Sequence, residues 1–461
     1  MAPERAAWIE RNRAYYDDDR RFMRFLIPKG GRVLDVGCGN GELLRMLEPS
    51  YGLGIDLSET IVTQARQEHP HLHFEVGDIE DPAVIARIEG PFDYIILSDT
   101  VGVLDDIEVA LRRLHRLCTA HTRIVIAYHS RLWEPLLNFA ERAGLRMPQP
   151  PTNYLANTDL FNILDLADFE PIKLEFRQLI PRRAFGLGRL VNRFLAPLPG
   201  LRRLCLRQYL VTRSLIARQP RELSATIVIP CRNERGNIEA AVRRLPPFGS
   251  SQEIIYVEGH SGDGTYEECL RVQAAYSGNH DIKVVQQEGK GKGDAVRKGF
   301  AMGRGDVLMI LDADLTMPPE ALPKFYNAIA SGKAEFVNGT RLIYPMEGEA
   351  MRVLNFIANR LFARIFSYLV NQRFTDTLCG TKALSRKHYK AIARDRIYFG
   401  DFDPFGDFDL IFGAAKQNLK IIEIPIHYGA RTYGSTNISR FRDGWLLLRM
   451  VAFAFRKLKC L

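Results

Sequence analysis

Val307-Leu308-Met309-Ile310-Leu311-Asp312-Ala313-Asp314 is an apolar run that ends in two carboxylates. It reads as a buried strand. Asp312 and Asp314, two residues apart on extended chain, then project from one face. Like charges that close repel unless a cation or hydrogen-bond donors stand between them. The carboxyl end of a strand in an open α/β sheet is also where ligands bind. Hard oxygens suit Mg²⁺ or Mn²⁺, metals that keep waters and hold substrate phosphates. Solvated loop acids capping the next helix are the plainer reading of such a pair. The apolar strand before it and Pro318-Pro319 after it favour the metal.

Working outward, the same half alternates strands and helices. Strands are predicted at 225–229, 253–257, 283–286, 307–311 and 335–338. Several of these end in polar turns: Pro230-Cys231-Arg232-Asn233-Glu234 after the first, and Glu258-Gly259-His260-Ser261-Gly262-Asp263-Gly264-Thr265 after the second. Gly289-Lys290-Gly291-Lys292-Gly293-Asp294 follows the third, and Asn338-Gly339-Thr340-Arg341 closes the fifth. Acids at strand ends suit a base and a ribose, and a Lys-Gly loop suits phosphate oxygens. Further on lie Asp376-Thr377-Leu378-Cys379-Gly380-Thr381-Lys382, Gly406-Asp407-Phe408-Asp409-Leu410 and Arg431-Thr432-Tyr433-Gly434-Ser435-Thr436.

In this order the motifs resemble the family-2 glycosyltransferases of GT-A fold, nearest to the dolichyl- or polyprenyl-phosphate sugar synthases, over about residues 222–440. The resemblance implies that Pro230, Asn233, Glu234, Glu258 and Lys292 surround a nucleotide-diphosphate sugar. It implies that Asp312 and Asp314 bind the metal and diphosphate, and that Arg341 meets an acceptor phosphate. Asp376 would lead into the acceptor wall, and Arg431 with Ser435 would clamp a phosphate. On the same likeness, Asp407 and Asp409 would be acceptor-side acids. The chain departs from many relatives at Glu258-Gly259, where Asp-Asp is frequent, and at Thr316, where Gln is. The chemistry implied is an inverting displacement at the anomeric carbon. A phosphate acceptor is already ionised and needs no strong base. A sugar hydroxyl would require one, with Asp409 or Asp407 as the candidate.

The other half begins with a polar helical stretch at 4–25 and a second alternation. Strands are predicted at 32–36, 52–55, 72–76, 94–97 and 123–127, with helices at 41–47, 59–68 and 107–118. The α/β pattern predicts a parallel sheet with helices on both faces. Val33-Leu34-Asp35-Val36-Gly37-Cys38-Gly39-Asn40-Gly41-Glu42 is a strand, a glycine turn and a helix start. Its spacing is G-x-G-x-G, which fits the dinucleotide fingerprint poorly. Asp56, Asp78-Ile79 and Ser98-Asp99 end the next three strands.

These residues resemble the class I S-adenosylmethionine-dependent methyltransferases over about residues 10–215. The likeness implies Asp35, Gly37, Gly39 and Gly41 along the methionine part of the cofactor, Asp56 at the ribose, and Asp78 with Ile79 at the adenine. Ser98 belongs to the same set. Tyr128 and His129 follow the fifth strand as candidates for a base or an orienting donor. The methyl acceptor is not readable.

The expected architecture is therefore α/β in two domains. Residues 1–215 form a Rossmann-like methyltransferase sheet, and 222–461 a GT-A nucleotide-sugar-binding sheet. The chain has 461 residues and a formal net charge of +9. Its seven cysteines show no metal or disulfide spacing, which suits a reducing compartment. No secretory signal or spanning run is visible. Between the halves, residues 181–221 carry many arginines and no acid. Stretches near 352–370 and 444–461 read as interfacial helices or as helices packed on the core. The arginines favour the interfacial reading through attraction to an anionic membrane surface. No recognition helix or aromatic RNA-binding motif is present, so no nucleic-acid partner is expected.

The function expected is a bifunctional enzyme, cytoplasmic and peripheral on the inner membrane face. It would transfer a sugar to a lipid-linked acceptor with Mg²⁺ or Mn²⁺, and a methyl group from S-adenosylmethionine. The alternative is transfer to a sugar hydroxyl, with the N-terminal domain a non-catalytic cofactor-binding scaffold.

Overall fold

The computed structural model describes residues 8–148, 150–182, 184–345, 353–398, 408–431, 433 and 440–461. Ser435 and Asp407 lie outside the described residues. The chain divides into two compact units. One runs to Gln219 and takes in Lys459–Leu461; the other spans Pro220–Leu458.

The first unit is built on seven strands: β1 (Arg32–Val36), β2 (Tyr51–Asp56), β3 (His73–Val76), β4 (Tyr94–Ser98), β5 (Arg123–His129), β6 (Phe169–Arg177) and β7 (Arg207–Ser214). Their order is β3-β2-β1-β4-β5-β7-β6. The strands β1 to β5 pair in parallel, and β7 is antiparallel to both β5 and β6. The strands β1, β4 and β5 are Val-, Ile- and Leu-rich and are covered on both faces, as parallel strands must be. Side-chain caps start the intervening helices. Ser58 Oγ accepts from Ile61 N (3.4 Å) ahead of Glu59–Glu68, and Asp106 Oδ1 from Val109 N (3.0 Å) ahead of Ile107–Leu114. The strand order reverses beside β1. That puts the glycine turn after β1 at the topological switch point.

Neither β6 nor β7 was predicted, and β7 corrects the reading of the arginine segment. Arg207 and Arg213 are each 1% exposed. Arg213 donates to Glu170 Oε2 from Nε (3.0 Å) and Nη2 (2.8 Å), inside the sheet. These two arginines are structural and face no membrane. Lys459, at the end of the stretch 444–461, is likewise buried, with Nζ 3.0 Å from Glu175 Oε1.

The second unit holds β8 (Ala225–Cys231), β9 (Gln252–Glu258), β10 (Asp281–Gln286), β11 (Val307–Ile310), β12 (Phe336–Thr340), β13 (Lys382–Ser385) and β14 (Ile421–Pro425). The order is β10-β9-β8-β11-β13-β12-β14. Here β8, β9, β10 and β11 are parallel, while β13 runs antiparallel between β11 and β12. The order reverses beside β8, so the loops after β8, β9 and β11 converge. Their core is one apolar cluster that includes Ile227, Tyr256, Met309 and Phe325.

Helices Val353–Val370 and Arg440–Leu458 pack on each other. Phe366, Leu369, Leu447 and Met450 are buried, whereas Ile357, Leu361, Trp445 and Leu448 are exposed. Each helix thus has a core face and a bare apolar face. Among the described residues, no helix is long and apolar enough to cross a membrane.

Candidate active sites

At the switch point of the first unit, Gly37, Gly39 and Gly41 adopt φ of +75°, +55° and +76°. A Cβ at Gly37 would stand 2.5 Å from Thr100 Oγ1. That hydroxyl is already committed to Val36 O (2.7 Å), so glycine is required there. Asp56, at the end of β2, ties the turn down: Oδ2 accepts from Gly39 N and Oδ1 from Ser58 N, both at 3.0 Å. Its remaining lone pairs are free to take ribose hydroxyls. Asp78 Oδ1 accepts from Glu80 N (2.8 Å), and Ile79 beside it is buried. Asp35 sits lower, in β1, at 2% exposure. Ser98 Oγ accepts from Arg207 Nη2 (3.0 Å). A bare backbone cradle next to a strand-end carboxylate fits an adenosyl cofactor.

Beside this cradle lies a largely buried network, open at Asp99, that no motif announced. Arg207 Nε donates to Asp19 Oδ1 (2.9 Å), and its Nη1 pairs with Asp99. Tyr209 Oη donates to the same Asp19 oxygen (2.5 Å). His129 Nδ1 is 3.5 Å from Asp99 Oδ1, and its Nε2 shares a hydrogen bond with Tyr15 Oη (2.9 Å). Burial pushes the His129 imidazole down to about 4, against the pull of Asp99. Burial also raises Asp99, but the charge and hydrogen bond of Arg207, together with the other cationic neighbours, hold that carboxyl low. Tyr128 turns elsewhere, donating to Asn157 Oδ1 (2.6 Å). Asp19 and Arg207 are 188 residues apart. Only the unbroken arginine run hinted that some of it had to be paired.

In the second unit, the ends of β8 and β11 and the start of helix Lys292–Met302 bring charges together. Asp312 Oδ1 is 2.5 Å from Lys292 Nζ. Burial pushes the Asp312 carboxyl up, but Lys292 holds it below the usual range. Gly380 makes this pair possible: a Cβ there would fall 2.1 Å from both Lys292 Nζ and Asp312 Oδ2. Asp314 Oδ2 accepts from Arg431 Nη2 (2.7 Å), while Arg431 Nη1 donates to Glu234 Oε1 (2.9 Å). Thr316 closes the turn, donating from its hydroxyl to Asp314 Oδ1 (2.8 Å). Burial raises Glu234 despite Arg431. The structure thus gathers Asp312, Asp314, Glu234, Lys292 and Arg431. Two strand-end carboxylates form a hard-oxygen set that fits a divalent cation, and the ammonium and guanidinium fit phosphate oxygens.

Pro230 lies in β8 beside Val257 of β9. Asn233, at φ +55°, cross-links the two loops, accepting from Gly262 N (3.0 Å) and donating its own N–H to Ser261 Oγ (2.9 Å). Glu258 is fully buried. Burial raises its carboxyl, but hydrogen bonds from Ser261 N (2.6 Å) and Gln286 Nε2 (3.1 Å) help hold it low.

Arg341 and Asp376, both expected on the acceptor side, pair with each other: Nε and Nη2 of Arg341 make a fork with Asp376 at 2.6 and 2.8 Å, and Asn359 Nδ2 adds a bond of 2.9 Å. Asp409 lies on helix Phe408–Lys416 with Oδ2 3.3 Å from Arg396 Nε. Its described partner is thus outside the Asp312–Asp314 cluster.

The glycosyl transfer family 2 pattern matches residues 226–393, and a methyltransferase domain pattern matches residues 8–174. The chain is 35% identical over 228 residues to a dolichol-phosphate mannosyltransferase of Mycosarcoma maydis, covering 47% of this chain and 74% of that one. It is 32% identical to the enzyme of the same name from Saccharomyces cerevisiae, covering 46% and 80%. Similarity to the Pyrococcus furiosus dolichol-phosphate mannosyltransferase is 26%, covering 47% of this chain and 59% of that relative's own length. Through its second unit the chain belongs to glycosyl transferase family 2, and its first unit is a methyltransferase domain.

Proposed function

We propose that the second unit transfers a sugar from a nucleoside-diphosphate donor to the phosphate of a lipid-linked acceptor of the polyprenyl phosphate type, with inversion. The observation that carries this is the gathering of Asp312 and Asp314 with Lys292 and Arg431 at the carboxyl edge of the sheet. Asp312 and Asp314 would hold Mg²⁺ or Mn²⁺, which stabilises the leaving diphosphate when bound. Lys292 and Arg431 would meet the phosphate oxygens. An acceptor phosphate oxygen attacks the anomeric carbon, that carbon's bond to the diphosphate oxygen breaks, and the nucleoside diphosphate departs. An ionised phosphate needs no general base, which agrees with the pairing of Asp409 to Arg396. The names of the relatives support a lipid-phosphate acceptor. The first unit would transfer a methyl group from S-adenosylmethionine, with Gly37, Gly39, Gly41 and Asp56 holding it. Bare apolar side chains such as Ile357, Leu361, Trp445 and Leu448 support work at a membrane surface.

A radiolabel assay tests the reading: the full chain, Mn²⁺ or Mg²⁺, a panel of UDP- and GDP-sugars and a short polyprenyl phosphate. Label should enter the organic phase and fall by about 10³-fold in Asp314→Ala, the scale set by removing an electrostatic stabiliser. Metal-dependent donor hydrolysis without lipid product would shift the acceptor to a hydroxyl. No turnover of any donor would defeat the proposal.

A further inference from the structure

Tyr15 faces two ways. Its hydroxyl meets His129, and the residue also lines a cavity of about 260 Å³ bounded by Arg21, Gln178, Arg182, Arg189 and Asn192. Tyr15 and His129 thus link the cavity to Asp99, which follows β4.

Its charges are unevenly spent. Asp18 also lines it, but is bonded to Arg21 Nη2 (2.8 Å) and to Asn192 Nδ2 (3.1 Å). Asp17 lies 3.7 Å from Arg13 Nε. Arg182 and Arg189 are exposed and have no ion-pair partner among the described residues. Two unspent guanidiniums at the mouth of a small cavity suit a phosphate. Gln178, donating from Nε2 to Tyr15 O (2.7 Å), fixes the inner wall.

The rim is apolar. Phe185 is fully exposed, and Leu187, Leu190 and Phe194 are 62%, 55% and 48% exposed. They sit on the same short segment as Arg189. Ligand cavities usually run from about 300 to 1,000 Å³, so this one is the size of a headgroup and has no room for a long hydrocarbon chain. A chain attached to that headgroup would have to lie across Phe185, Leu187 and Leu190.

We propose that this cavity is the methyl-acceptor site, and that its ligand is a phosphate-bearing amphiphile presenting a hydroxyl to Tyr15. This rests on the methyltransferase reading of the first unit. The acceptor oxygen forms a bond to the methyl carbon as the carbon–sulfur bond of the sulfonium breaks, leaving S-adenosylhomocysteine. The acceptor proton passes to Tyr15 Oη as Tyr15 gives its own to His129 Nε2, and Asp99 faces the resulting imidazolium. Burial raises the Tyr15 phenol, so it stays a neutral hydroxyl able to relay a proton.

The test is site-resolved, so that the second unit cannot be mistaken for the first. A photoreactive farnesyl phosphate is cross-linked to the full chain and the labelled peptides are mapped. Label is expected within residues 13–26 and 177–195, and should fall at least fivefold in a double Arg182→Glu, Arg189→Glu variant. A farnesol probe of the same design should label these peptides at least fivefold less. Competition by inorganic phosphate as strong as by farnesyl phosphate would overturn the amphiphile and leave a free phosphate compound as ligand. Label confined to residues 220–458, or insensitive to the double variant, would overturn the site. S-adenosylmethionine binding is measured by calorimetry alongside. Its absence in the wild type would defeat the methyltransferase reading, whereas its persistence in the double variant would show that the arginines act on the acceptor.

Discussion

The two strand-end sites solve opposite problems. In the first unit the proposed cofactor cradle is backbone: three glycines at positive φ, and one carboxylate bonded to N–H groups of that turn and of its own. In the second unit the cradle is charge, with each acid held by a base: Asp312 by Lys292, Asp314 and Glu234 by Arg431, Asp376 by Arg341. A glycine turn is finished before its ligand arrives, because its shape is set by sterics. A cluster of ion pairs is provisional, because a metal and a diphosphate would compete for both members of each pair. On the proposed reading the same switch-point geometry would serve one ligand through shape and another through exchange of partners.

The sharpest way to break this contrast is Gly380→Ala. The added methyl would displace Lys292 and Asp312, and misplacement by about 1 Å costs on the order of 10²-fold in rate. Glycosyl transfer should fall by about that factor, while S-adenosylmethionine affinity, read by calorimetry, stays put. Equal loss of both would mean that the two sites are not independent.

Gly37→Ala probes the other side with a smaller effect. The methyl collides with Thr100 and strains the left-handed backbone by about 1–2 kcal/mol. S-adenosylmethionine affinity should drop about tenfold, since 1.4 kcal/mol is a factor of ten. Unchanged affinity would show that the turn is not the cofactor cradle.

Acid titration separates the units most gently. His129 is held at about 4, below its ordinary 6.5, chiefly by burial. Between those pH values the unfolded chain binds more protons than the folded one, so the first unit loses stability as pH falls from 6.5 to 4. In the second unit Glu253 is held at about 2: burial raises it, but Arg304 N (2.8 Å), Lys283 Nζ (2.6 Å) and Thr226 Oγ1 (2.6 Å) outweigh that. Its contribution is intact above 4.5 and fades only between 4.5 and 2. Urea unfolding across this range should show the upper slope flattened by His129→Phe and the lower by Glu253→Gln. A His129→Phe slope identical to wild type would refute the assignment.

The parallel strands were legible because burial on both faces leaves little but Val, Ile and Leu, as in β1, β8 and β11. The strands that escaped were β6, β7, β13 and β14. Of these, β6 (Phe-Glu-Pro-Ile-Lys-Leu-Glu-Phe-Arg) and β7 (Arg-Gln-Tyr-Leu-Val-Thr-Arg-Ser) bury charge against charge, which no periodicity displays. Chemistry was legible where it sits within one loop, as in Gly37-Cys38-Gly39 or Asp312-Ala313-Asp314. It was not where partners come from distant segments: Tyr15 with His129, Asp19 with Arg207, Arg341 with Asp376.

Arg431, bridging Glu234 and Asp314, carries one more consequence. A divalent ion arriving alone would have to expel a guanidinium from Asp314, and a nucleotide arriving alone would have to draw that guanidinium away from two carboxylates. Only the two together, as a chelate, would offer each displaced partner a new one. On the proposed reading the resting cluster would act as a coincidence detector, responding to the conjunction of the two more than to either alone.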